Sequence, residues 1–217
     1  MMLHRHEPLN LYGPPGTRQI IESLVSACNV PQQIGYGVPG QTLPHPRDFV
    51  NVREIAPGDV IDINDIKVSC CENTHYRPEE QFGQEGPLSL SLRFDAEDRS
   101  MVFTGDTGPC RALEAFAADA QLLVGEMMDA EKIVQRIRDT NPQMTEERID
   151  MMGKHLREHH LSGEDLGELA SRANVEQVVA VHIPLDSMNA DTESEYTQKI
   201  ASRFSGKISI GEDLGCY

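Results

Sequence analysis

Met101-Val-Phe-Thr-Gly-Asp-Thr-Gly-Pro109 is an apolar run that halts at a carboxylate set between two glycines. Met101, Val102 and Phe103 predict a short buried strand, and Gly105 and Gly108 allow a tight turn directly after it. Asp106 is thereby presented at a strand end, where close backbone approach suits a metal ligand or a catalytic carboxylate. The competing reading makes Asp106 the cap of a helix that begins near Pro109.

Working outward, Leu88, Leu90, Leu92 and Phe94 alternate as a half-buried strand, and the polar turn 95–99 returns the chain to the Asp106 strand. Further upstream, 60–63 and 66–70 flank Asn64-Asp65 as a hairpin, and the second arm runs out through Thr74 to His75. Downstream, a helix with Leu113 and Phe116 precedes the strand 121–124, which ends at Gly125-Glu126. Residues 130–158 carry a helical pattern broken at Asn141-Pro142, closing in His155-Leu-Arg-Glu-His-His160. Ser162 to Asp165 reads as a capping box, opening a helix with Leu166, Leu169, Ala170 and Ala173 on one side. Val178 to Val181 is a buried strand ending on His182, followed by a helix over about 192–203 and a strand at 207–210.

The N-terminal part begins with a strand at Leu9 that turns at Gly13-Pro-Pro-Gly16; Thr17 stands where an N-cap would, before Ile20, Ile21, Leu24, Val25 and Cys28 at helical spacing. No Lys follows the last glycine and two prolines remove backbone donors, so this is a rigid turn and not a phosphate cradle. Residues 32–46 read as an irregular connection, with His45 exposed.

The 217 residues suffice for one substantial core and are read as a single domain, 1–217. With 19 Lys and Arg against 35 Asp and Glu, the net charge of -16 disfavours nucleic acid as a partner, because phosphate contacts need clustered cations. No apolar run is long enough for a membrane span and the first residues lack a signal peptide's apolar segment, so a cytoplasmic location and no membrane are expected. Five cysteines without a CxxC pair read as reduced thiols.

Three ligand-type side chains, His75, Asp106 and His182, each directly follow an expected strand. Strand ends converge on one rim in α/β folds, and imidazole with carboxylate suits zinc or another first-row ion. His160 precedes the Ser162 cap and could reach the same rim as a proton donor. His159 reads as an exposed helix-end residue.

Leu11-Tyr-Gly-Pro-Pro-Gly-Thr17, Phe103-Thr-Gly-Asp-Thr-Gly-Pro109, His160-Leu-Ser-Gly-Glu-Asp-Leu-Gly-Glu-Leu-Ala170 and Val179-Ala-Val-His-Ile-Pro184 together resemble the metallo-β-lactamase superfamily in its ribonuclease Z-like branch. The resemblance implies an α/β fold of the αββα sandwich type. It implies that His75 ligates a first metal, Asp106 bridges two, His182 completes the second, and His160 acts as general acid. It also implies zinc, as one or two divalent ions, with Mn or Fe as alternatives. A metal-bound hydroxide would then attack a small ester, phosphodiester, lactone or sulfate ester.

The family's His-x-His-x-Asp-His run is not found ahead of Tyr12, so the resemblance implies an N-terminally incomplete fold with ligands for at most one ion. His4 and His6 echo that run only superficially, although a single-metal centre using them with His182 is an alternative. The tRNA-processing members carry a long arm between the positions matching His75 and Asp106, whereas here that segment is short and acidic (Glu79, Glu80, Glu85), which points to a small-molecule substrate. Rival readings are a non-catalytic remnant acting in binding or assembly, and a ribonuclease Z-like tRNA 3′-end endonuclease. Incomplete strands would leave an unpaired edge and an uncovered apolar face, so self-association to a homo-oligomer is expected.

Overall fold

The computed structural model describes residues 7–35, 38–40, 44–184 and 189–217. His4 and His6 lie outside the described residues. The chain that reads as one domain groups into two compact units, Met1–Ala56 and Pro57–Tyr217, each taken by itself below.

In the first unit, β1 (Leu9–Gly13) pairs in parallel with β2 (Val50–Glu54), Leu9 facing Val50 and Gly13 facing Glu54. Between them runs α1 (Thr17–Gln33). Thr17 is not the cap. Gly16 takes that position at φ 99, a left-handed conformation that costs glycine little. Glu54 Oε1 accepts the exposed N–H groups of Gly16 (2.8 Å) and Arg18 (3.1 Å), so capping comes from β2. The Thr17 hydroxyl instead donates back to the Pro14 carbonyl (2.7 Å). The helix extends into the segment expected to be irregular, and a 3₁₀ turn, Pro46–Phe49, leads into β2. His45 is exposed, as the sequence suggests.

The second unit is built on one mixed sheet whose seven strands lie in chain order: β3 (Val60–Ile63), β4 (Ile66–Glu72), β5 (Leu90–Asp95), β6 (Ser100–Phe103), β7 (Leu122–Glu126), β8 (Gln177–Val181) and β9 (Lys207–Ile210). Pairing is antiparallel from β3 to β6 and parallel from β6 to β9. Asn64 turns the first hairpin at φ 53, a conformation that Asn tolerates well. The parallel steps are bridged by helices: α2 (Arg111–Phe116), then α3 (Ala130–Thr140), α4 (Glu146–His159) and α5 (Gly163–Arg172), then α6 (Ala190–Ala201). This α/β architecture agrees with the expected fold class.

The core forms where one face of the sheet meets α2, α5 and α6. Val102, Leu123, Val178 and Ala180 project from successive strands against Leu113, Leu166, Leu169, Ala170 and Ile200, all in one buried cluster. Each fully buried Leu or Val contributes about 1.5–3 kcal/mol relative to exposure. Gly125 allows the close approach of α5, since a Cβ there would sit 2.4 Å from Leu166 Cδ1. The capping box is present as the sequence predicts: Ser162 Oγ accepts from Asp165 N–H, and the Asp165 carboxylate accepts from Ser162 N–H.

Asp129 ties α3 to α6. Its carboxylate caps α3 by accepting Lys132 N–H (3.1 Å) and pairs with Lys199 Nζ (2.6 Å) on α6. Burial pushes this carboxyl up, but the Lys199 hydrogen bond and the Lys132 N–H outweigh it and leave Asp129 below its ordinary value. A depressed carboxyl adds stability above its unfolded pKa and loses it as pH falls through the folded value. The stability gap between the native chain and Asp129→Asn should therefore be full above about pH 5 and shrink below about pH 4. Thermal unfolding across that range measures it, and a gap that does not change with pH contradicts the assignment.

Candidate metal centre

Strand direction brings the chemistry to one edge. β4 and β6 both run antiparallel to β5, so they point the same way, and β7 and β8 are parallel to β6. The residues that follow these four strands therefore share one rim: His75 shortly after β4, Asp106 after β6, and His182 immediately after β8, with Glu126 closing β7. This is the reason that side chains so far apart in sequence can meet.

The rim is fixed by a polar lattice beneath it. The Asn73 amide donates to Ser91 Oγ (3.1 Å) and to the Thr104 carbonyl (3.0 Å), joining the ends of β4 and β6. Thr107 Oγ1 accepts Thr74 N–H (3.3 Å) and lies 3.2 Å from Thr74 Oγ1. Gly105 turns at φ 60, and a Cβ there would come within 3.2 Å of the Leu90 carbonyl. Asp106 is not a cap, because α2 starts at Arg111 with Cys110 before it. It stands at the rim with its side chain 37% exposed, available to a ligand.

His75, Asp106 and His160 offer ligand atoms that all lie within 4.8 Å of one another. His182 Nε2 lies 3.6 Å from Asp106 Oδ2. His182 is the most open of the set, 58% exposed, and holds φ 54, a left-handed conformation uncommon outside glycine. The tight group is thus His75, Asp106 and His160, and His182, expected as a ligand from the sequence, stands next to Asp106 outside it.

Acceptors that cannot donate fix the imidazole tautomers. His75 Nδ1 faces the His159 carbonyl at 3.2 Å, and His160 Nδ1 faces Glu126 Oε1 at 3.1 Å. Each Nδ1 must carry the proton, which leaves Nε2 as the basic nitrogen of the neutral ring. The Glu126 hydrogen bond holds the His160 imidazole above its ordinary pKa, against the opposing pull of burial. For His155, burial pushes the imidazole down and the neighbouring histidines add to that. His159 is half-buried, not the exposed helix-end residue that the sequence suggests, because its Nδ1 donates to the Thr74 carbonyl (3.1 Å).

Glu126 is the functional residue that sequence reasoning passed over. It is 2% exposed, and its Oε1 accepts from Thr107 N–H (3.1 Å), Leu161 N–H (3.2 Å) and His160. Its position at the end of an apolar strand was the available signal. The donor set around Asp106, two imidazole nitrogens and one carboxylate, fits a borderline divalent ion with an open coordination position.

A family model described as beta-lactamase superfamily domain matches residues 1–183. The chain belongs to that family. Ribonuclease Z of Mycolicibacterium gilvum is 29% identical over 95% of this chain and 64% of its own length. The chain thus spans somewhat under two thirds of that relative. Among solved structures, the metallo-beta-lactamase fold protein YhfI from Bacillus subtilis superposes with a TM-score of 0.60 at 13% identity, over 94% of this chain and 63% of that one. Human tRNase Z, short form, gives 0.55 at 13% identity, over 97% and 68%. These likenesses place the chain in the metallo-β-lactamase fold and make it ribonuclease Z-like.

They also correct one expectation. Nucleic acid was disfavoured as a partner from net charge, yet a curated relative is a ribonuclease and a structural neighbour a tRNase. Net charge sums the whole surface, whereas phosphate recognition is local and a divalent ion can supply the positive charge. Among the described residues no helix is long and apolar enough to cross a membrane.

Gly108 seats the end of α4 on the rim, since a Cβ there would lie 2.1 Å from the Glu158 carbonyl oxygen. Gly108→Ala should destabilise the fold by about 1–3 kcal/mol through that overlap. Denaturant unfolding tests it; unchanged stability would mean that α4 does not dock there.

Proposed function

We propose that this chain carries the centre of a metal-dependent hydrolase that opens an ester or phosphodiester bond, with RNA among the substrates to be tested. The supporting observation is the gathering of three imidazoles about Asp106: His75 and His182 follow strands that share the direction of the Asp106 strand, and His160 comes from the α4–α5 connection. In this reading His75 Nε2, the Asp106 carboxylate and His182 Nε2 hold one divalent ion, zinc by donor chemistry, with Mn or Fe as alternatives. An ion held there supplies Lewis-acid polarisation of the scissile bond and activation of a water.

The chain's own residues carry the rest. Glu126 grips His160 at Nδ1, fixes its ring plane and favours its protonated form. With Nδ1 taken by Glu126, Nε2 is the nitrogen through which His160, grouped with His75 and Asp106, can hand a proton to the departing oxygen. The Nδ1 bond to the buried Glu126 carboxylate holds His160 as a proton carrier, so His160 takes the acid role and His182 the metal. Asn73, Thr74 and Thr107 keep the two loops from drifting apart. The likeness to ribonuclease Z supports a phosphodiester, and bis(p-nitrophenyl) phosphate and a tRNA with a 3′ extension are the two substrates that separate small-molecule from RNA hydrolysis.

Chelation should abolish hydrolysis, and added zinc or manganese should restore it. His160→Ala should keep the bound metal while losing about 10²–10⁴-fold in kcat, whereas His182→Ala should lose the metal. Hydrolysis that survives chelation would overturn the proposal. A chain that takes up no metal would favour the rival reading, a non-catalytic binding module.

A further inference from the structure

The last turn of α4 carries two imidazoles that the strand-end centre does not use. His155 and His159 stand one helical turn apart on the same face, with ring centroids 4.7 Å apart and planes inclined by 38°. His155 is exposed and His159 half-buried. His159 donates Nδ1–H to the Thr74 carbonyl, which leaves Nε2 as its basic nitrogen and locks the ring plane. A backbone carbonyl on the far nitrogen is the usual support of a ligating histidine.

Histidines at i and i+4 on one helix face are the spacing by which helical zinc motifs place two ligands on one ion. The setting favours a cation as well. The two residues lie at the C-terminal end of α4, where the macrodipole is negative, and the chain as a whole carries -16.

We propose that His155 and His159 form a second site for a divalent transition-metal ion, distinct from the centre around Asp106. With two protein ligands and waters for the remainder, it binds more weakly than the inner centre. Imidazole pairs select zinc, nickel or copper over magnesium, which prefers oxygen and retains its water. The two sites share His159. Its side chain would hold the outer ion, and its carbonyl already anchors His75 Nδ1. The rings of His155 and His160 are 6.4 Å apart, so the outer ion would stand beside the inner centre. Occupation of the outer site would fix the end of α4, and with it the orientation of His75.

Calorimetric titration of the full chain with zinc tests this. The native chain should bind two ions in two affinity classes, and magnesium should not compete for the weaker one. His155→Ala, a change at an exposed position, should weaken the outer site by at least about tenfold and leave the tighter class in place. Asp106→Asn should do the reverse, so failure of the inner centre is read separately from failure of this site. Two unchanged affinity classes in His155→Ala, or a single ion bound by the native chain, would overturn the proposal.

Discussion

The rim of this fold depends on one buried carboxylate oxygen. Glu126 Oε1 gathers hydrogen bonds from the loop after β6, through Thr107 N–H, and from the α4–α5 connection, through His160 Nδ1 and Leu161 N–H. Burying a carboxylate costs several kcal/mol unless donors replace the lost water. Three donors on one oxygen supply that replacement, and Glu126's own N–H is taken by Thr104 Oγ1 at 3.1 Å. The same contacts that make Glu126 tolerable in the interior therefore hold the segments carrying Asp106 and His160 side by side. Oε2 has no hydrogen-bond partner among the described residues.

Much of this was legible from local pattern. Val102 and Val178 lie in short apolar runs, each run is a strand, and the residues just beyond, Asp106 and His182, lie at the rim. Ser162 and Asp165 announce their capping box because both partners fall within one turn of the helix. The turn at Asn64 is equally local. In each case the chemistry that decides the structure lies within a few residues.

What escaped the sequence is non-local. Among the described residues β2 pairs with β1 alone, in parallel and with mostly open faces, so the short alternation of Val50 and Val52 had no hairpin turn beside it to mark it as a strand. Glu126 reads as an ordinary acidic residue at a strand end until its burial is known. His159 looked exposed because the carbonyl that claims its ring, that of Thr74, comes from a distant loop. The judgement on nucleic acid failed for a related reason: a sum of charges carries no information about where on the surface those charges lie.

The central claim is that the imidazole of His75 and the carboxylate of Asp106 share one cation. Anomalous X-ray scattering at the zinc edge, from crystals of the chain soaked in zinc, tests it most directly. The account predicts a peak about 2.0–2.2 Å from a nitrogen of His75 and an oxygen of Asp106. A rim without a peak, in crystals whose zinc lies elsewhere on the molecule, would contradict it.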